Sequence, residues 1–175
     1  MILIGLGSNL TTAEYQSSGE ILDAAINELK ARGVQVIKRS RYYETEPVPK
    51  SDQPWYVNAV ISVETTLSAS ELLKLLHEIE QSLGRVRRER WEARIIDLDL
   101  LCYNDEIYPD KEKWLKAVSE NTYDSIIIPH PRMHLRDFVL IPTTEIAGNW
   151  THPVLKKNIN TLRKEQISDG IVRLL

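Results

Sequence analysis

Apolar and polar residues along this chain follow two rhythms, one of two residues and one of three to four. The switches between them lay out the elements. Residues 1–6 form a short apolar run that predicts a buried first strand, with a turn at Gly7, Ser8 and Asn9. Ile21, Leu22, Ala25, Ile26 and Leu29 recur at helical spacing, so a helix is predicted over 18–32, and Gly33 is its natural stop. A second strand is expected over 34–43, then a loop over 44–54 whose three prolines keep it out of helix and sheet interior. Residues 56–65 alternate: Val57, Ala59, Ile61 and Val63 share one face, and Tyr56, Asn58, Ser62 and Glu64 the other. Ser68 and Glu71 are spaced as a capping box that opens the next helix. Its stripe is Leu72, Leu73, Leu75, Leu76, Ile79 and Leu83, and Gly84 ends it.

A further strand is expected at Ile95-Ile96-Asp97-Leu98-Asp99-Leu100-Leu101. Residues 104–125 are polar, with a helical turn at 111–118. Short strands are expected at 126–128 and 138–141, a short helix near 143–147 and another near 158–166. The order is β-α-β-β-α-β with additions. It predicts an α+β fold with a ferredoxin-like βαββαβ core, a mainly antiparallel sheet, helices on one face, and extra C-terminal strands and a helix. The 175 residues fit a single domain over 1–175.

Strand parity puts Asp97 and Asp99 on one face, roughly 6.5–7 Å apart at Cα. Like charges that close on a largely buried sheet are costly unless a cation lies between them. Oxygen ligands favour a hard ion, Mg²⁺ first, which keeps water and substrate phosphates in its shell. The alternative is a sheet face that is simply wet. Just upstream, Arg85, Arg87, Arg88, Arg90 and Arg94 fall within ten residues, with Trp91 among them. Guanidinium groups bind phosphate oxygens in bidentate geometry, so acids and arginines together suggest a polyphosphate bridging metal and arginine. The bland alternatives are a solvated basic loop or a nucleic-acid patch. Parity also places Tyr56, Asn58, Asp97 and Asp99 on one surface, opposite the two helices.

Composition narrows these options. The net charge is −3, so the basic cluster is local and nucleic acid is not an expected partner. No apolar run approaches the ~20 residues of a membrane helix. The start of the chain lacks the basic region of a signal peptide. The single cysteine, Cys102, lies in an apolar strand and is expected to be core; together these features favour a cytoplasmic setting. Gly5-Leu6-Gly7 invites a dinucleotide-binding reading, but a third glycine is missing at Leu10.

Several segments, in this order and at these separations, resemble the 6-hydroxymethyl-7,8-dihydropterin pyrophosphokinase family of folate synthesis. They are Gly-Leu-Gly-Ser-Asn-Leu (5–10), Tyr-Tyr-Glu-Thr-Glu-Pro (42–47), Asp-Gln-Pro-Trp-Tyr-Val-Asn-Ala (52–59), Glu80 with Gly84-Arg85 and Arg87, Arg90-Trp91, Arg94 to Leu100, Pro-His-Pro-Arg-Met-His (129–134), and Arg136 with Phe138-Val139-Leu140. The resemblance implies transfer of the β,γ-pyrophosphoryl group of ATP to the pterin hydroxymethyl oxygen, releasing AMP. By that likeness Asp97 and Asp99 hold two Mg²⁺ ions. Arg85, Arg94 and His130 contact the phosphates with Arg87 nearby, and Trp91 closes over ATP. Tyr56 and Phe138 sandwich the pterin, Asn58 and groups near Thr45 and Pro47 read its edge, and Arg136 lies at the entrance. Glu80 either faces the nucleotide or is a solvent-facing helix residue. Arg85, Arg94, Asp97 and Asp99 are the catalytic set, and the enzyme is expected to act as a monomer on small molecules.

This chain has Trp91-Glu92-Ala93-Arg94 where the family usually has Trp-Gly-Pro-Arg, which alters loop stiffness and brings an acid near the phosphates. Two other readings stay open. One is an RNA-binding module on the same fold, the other a nucleotidyltransferase, which would release pyrophosphate where the favoured reaction releases AMP.

Overall fold

In the computed structural model, which describes residues 1–84, 95–121 and 125–175, the sequence rhythms become a sheet with helices packed on both of its faces. The first part of the chain runs β1 (Ile2–Ser8), α1 (Ser18–Ala31), β2 (Gln35–Arg39), β3 (Tyr43–Thr45), β4 (Tyr56–Glu64), α2 (Ala69–Ser82) and β5 (Asp97–Tyr103). The rest comprises α3 (Lys111–Glu120), a 3-10 turn (Met133–Leu135), α4 (Asp137–Ala147), α5 (Ile159–Glu165) and β6 (Val172–Leu174). The described strands form one antiparallel sheet in the order β5-β1-β4-β3-β6, and β2 also pairs with β4. Taking β2 and β3 as one interrupted strand, this is the ferredoxin-like order.

Both main helices start as the sequence suggests. Ser17 with Glu20 and Ser68 with Glu71 form capping boxes, which satisfy amide donors that a helix start leaves without partners. Gly33 and Gly84 follow the helices with φ of 83° and 94°, a conformation glycine adopts without strain. The stripes of α1 and α2 pack on Ile4, Leu6, Ala59, Ile61, Val63, Leu98 and Leu100 in one continuous core.

Five expectations need correction. The turn expected at Gly7 is still strand, because β1 runs through Ser8 between two partners. The strand expected over 34–43 is split, because the Ser40 hydroxyl accepts from the Val60 amide and takes the place of a ladder partner. Residues 126–128 make only an isolated bridge, Ile128 to Tyr108. The helical turn at 111–118 is a full helix, α3, capped by the Asp110 side chain and ended by Asn121 at positive φ.

The largest difference is at 138–141, expected as strand and found inside α4. The Phe-Val-Leu-Ile run gives no period of its own, and Pro142 hides the helix. Its buried positions Val139, Leu140, Thr143, Ile146 and Ala147 do repeat at helical spacing. Pro142 supplies no amide to the ladder, while the Thr143 and Thr144 hydroxyls donate to the Val139 and Ile141 carbonyls at 2.6 Å. Among the described residues the C-terminal addition is therefore one strand and three helices, with a 3-10 turn. The two core helices α1 and α2 share one face as expected, and the added α4 and α5 cover Leu3, Val60, Leu101 and Cys102 on the other.

Candidate active site

The register of β4, β1 and β5 builds the site. Gly7 is the Cα partner of both Asn58 and Asp97, and Gly5 of both Val60 and Asp99. Residues opposite one another in a sheet share a face. Asn58, Gly7 and Asp97 thus form one row, and Asp99 lies one row on. Asp97 and Asp99 are half-buried, whereas Leu98 and Leu100 turn into the helix-side core. The acids do share one face, the one opposite the α1 and α2 core.

Gly7 keeps this row open. A Cβ at that position would sit 2.8 Å from Asn58 Oδ1, closer than packing permits. The Asn58 amide lies buried, its Nδ2 donating to Thr45 Oγ1 at 2.6 Å. Thr45 is the partner of Tyr56, and Tyr43 of Asn58, so β3 extends the same face. Pro47 is buried just beyond β3, and Tyr56 is half-buried. Asn9, at the end of β1, donates to Gln53 Oε1 at 3.3 Å and to the Pro54 carbonyl at 3.1 Å, which ties down the proline-rich loop.

Residues 130–138 carry the remaining described side chains of the expected site. The His130 amide donates to the Leu101 carbonyl at 2.8 Å, and His130 Nδ1 accepts from the Arg132 amide at 3.1 Å. That bond leaves the proton on Nε2. Burial, then the positive charge of Arg136, pulls His130 down to about 3, while Asp97 acts the other way; the ring is neutral at neutral pH. The Arg136 guanidinium stands 5.4 Å from the centre of the Phe138 ring, a cation–π contact. Phe138 itself is half-buried at the first turn of α4.

Glu80 is neither exposed nor solvent-facing. It is 2% exposed, and its Oε1 accepts from the Leu98 amide at 2.7 Å. That amide lies between the two aspartates, so α2 holds the outer edge of their strand. Glu145 on α4 went unnoticed in the sequence. It accepts from the Arg41 amide and Nε, both at 2.9 Å, and from the Tyr43 hydroxyl, which fixes α4 to β3. The Tyr43 phenol is raised by burial and the Glu145 carboxyl is held low by these bonds against burial. Cys102 is buried, and burial pushes its thiol up to about 12, consistent with a core residue.

Arg85, Arg87, Arg88, Arg90, Trp91 and Arg94 lie outside the described residues. Among the described residues no group of three or more acidic, histidine or cysteine side chains could hold a metal ion. Among the described residues, the side chains expected to hold the metal are two half-buried carboxylates, Asp97 and Asp99. That suits an ion which keeps water and phosphate oxygens in its shell, and does not suit an all-protein cage.

A family model described as 7,8-dihydro-6-hydroxymethylpterin-pyrophosphokinase matches residues 3–148. A Haemophilus influenzae 2-amino-4-hydroxy-6-hydroxymethyldihydropteridine pyrophosphokinase is 39% identical over 150 residues, covering 86% of this chain and 83% of the relative. A Pneumocystis carinii folic acid synthesis protein is 39% identical over 174 residues; the match covers 99% of this chain but 21% of that longer protein. A crystal structure of a Plasmodium falciparum HPPK-DHPS triple mutant superimposes with a TM-score of 0.69 at 17% identity, covering 94% of this chain and 42% of the other, which shows a shared fold.

Proposed function

The chain belongs to the 7,8-dihydro-6-hydroxymethylpterin-pyrophosphokinase family, and from that premise we propose how its residues carry out the transfer of pyrophosphate from ATP to 6-hydroxymethyl-7,8-dihydropterin. It is a transferase of folate synthesis. The reaction joins the hydroxymethyl oxygen to the β-phosphorus of ATP as the bond to the α–β bridging oxygen breaks, releasing AMP.

The proposal divides the site in two. At one end Tyr56 and Phe138 stack on the two faces of the pterin, a flat heterocycle suited to aromatic contacts. Asn58 and Thr45 read its edge: Asn58 Nδ2 is held by Thr45, so Oδ1 is the atom turned to meet an incoming donor. Pro47 closes that side, and Arg136, stacked on Phe138, stands at the entrance.

At the other end Asp97 and Asp99 hold two Mg²⁺ ions. When bound, the metal neutralises phosphate charge and lowers the pKa of the attacking hydroxyl. His130 contacts a phosphate oxygen by the family likeness, and burial favours its neutral form. Arg85 and Arg94, with Arg87, clamp the phosphates, and Trp91 covers the nucleotide; these assignments follow the family motif. Glu80 serves the nucleotide end indirectly, by holding the Leu98 amide. Such transfers need positioning and charge neutralisation more than covalent help.

The proposal extends to the whole chain acting as one pyrophosphokinase domain, a cytoplasmic monomer that does not bind nucleic acid. Among the described residues no helix is long and apolar enough to cross a membrane.

The observation that supports the reading is the single row Asn58–Gly7–Asp97, in which an amide and a carboxylate share one face of the sheet within a family match. Product analysis with ATP, Mg²⁺ and the reduced hydroxymethylpterin tests it. AMP and a pterin diphosphate are expected. Release of pyrophosphate, or no reaction with this pterin, overturns it.

A further inference from the structure

The last ten residues, beyond the stretch matched by the family model, travel from one wall of the pterin end to the other. After α5, Gln166 Nε2 donates to the Leu135 carbonyl at 2.8 Å, and Asp169 Oδ1 accepts from the Asp137 amide at 3.3 Å. Leu135 and Asp137 flank Arg136, and Asp137 precedes Phe138. The chain then passes Gly170, where a Cβ would lie 3.4 Å from Val48, and reaches the edge of the sheet. The Glu46 amide donates to the Ile171 carbonyl at 3.0 Å, and β6 pairs with β3, Val172 opposite Thr45. Arg173 bonds Glu44 Oε2 through Nε at 2.8 Å and Nη2 at 2.7 Å, and its guanidinium lies 4.6 Å from the Trp55 ring centre. Trp55 precedes Tyr56.

This segment does not serve the core. Ile167 is 88% exposed, Ile171 53%, Leu174 50% and Leu175 65%. What it contributes is directed bonds, and they fall on the two groups of residues that present Phe138 on one side and Thr45 and Tyr56 on the other.

We infer that residues 166–175 act as a brace that sets the separation of the Tyr56 and Phe138 walls, with Asp169 and Arg173 as positioning residues for the flat heterocycle. The inference rests on the reading of Tyr56 and Phe138 given above. Neither residue touches substrate; each acts through its neighbour, Asp169 through Asp137 and Arg173 through Trp55 and Glu44.

The test compares the wild-type chain with a form ending at Gln166 and with Asp169→Ala and Arg173→Ala in the full chain, which keep the test sound if the shortened form fails to fold. Pterin and ATP affinities are measured separately, with backbone amide exchange over 44–58 and 135–140. Truncation should weaken pterin binding about tenfold, the size expected when a positioning contact is lost, with ATP affinity within about twofold. The point variants should each lose about threefold, and Arg173→Lys, which keeps the ion pair and loses the stack, should recover part of that. Amide exchange should rise in both walls. Equal losses for pterin and ATP, or faster exchange in one wall alone, overturn the brace. Exchange needs no substrate, so a wild-type chain that ignores the pterin would sink the substrate assignment, while exchange in both walls would still decide the brace.

Discussion

On the face of the sheet under α1 and α2, strands β1, β4 and β5 contribute Ile4, Leu6, Val57, Ala59, Ile61, Val63, Leu98 and Leu100 to one unbroken core. On the other face the same strands contribute two unlike patches. Leu3, Val60, Leu101 and Cys102 lie under α4 and α5, and beside them stand Asn58, Gly7, Asp97 and Asp99. The first face holds the strands in register by burial. The second is half spent on holding α4, the bearer of Phe138, and half given to the polar row proposed as the site. The lesson is that the acids need not contribute to stability, because the residues between them do.

The sharpest way to break that contrast is to remove the acids. Asp97→Ala and Asp99→Ala should each lower turnover by about 10³-fold or more in a chain that still folds, as read by far-UV circular dichroism. Wild-type turnover in either variant refutes the metal assignment. The complementary change is Leu72→Ala, a fully buried side chain of α2. It should cost about 2–5 kcal/mol in denaturant unfolding, with kcat preserved in the folded protein.

Tyr56→Ala probes the pocket itself. Pterin affinity should fall by about 1–3 kcal/mol, the usual worth of stacking a flat base, and ATP affinity should hold; equal loss of both would count against the sandwich. The smallest effect concerns His152, whose ring lies 5.1 Å from that of Trp114 and 5.8 Å from that of Trp150. His152 is fully buried, its Nδ1 accepts from the Val154 and Leu155 amides, and burial pulls it from 6.5 down to about 4. The folded chain therefore resists protonating it. The stability this contributes is complete above about pH 6.5 and is lost as pH falls toward 4. His152→Asn, which does not titrate there, should lose less in Tm between pH 7 and pH 5 than wild type does.

The helix-covered face was legible in the sequence because alternation and capping boxes are local signals. Strand parity alone was enough to place Tyr56, Asn58, Asp97 and Asp99 together. The rest depended on partners distant in sequence. Gly7 matters because register sets it against Asn58, and Glu145 because α4 lands on Tyr43. Neither shows a pattern in its own neighbourhood. β6 is three residues with Arg173 and Leu174 exposed, so no burial rhythm announced it. In α4, an apolar run followed by Pro142 imitated a strand and its stop.

Position 7 also bears on how much variation the site endures. With 2.8 Å between Asn58 Oδ1 and the place a methyl would take, and Asn58 Nδ2 already bonded to Thr45, a methyl there could be admitted only by displacing the amide. An alanine there changes no charge and deletes no bond, yet it would press on the Asn58 carbonyl, the atom proposed to meet the ring's edge. On that proposal, part of the selectivity would reside in an atom that was never added.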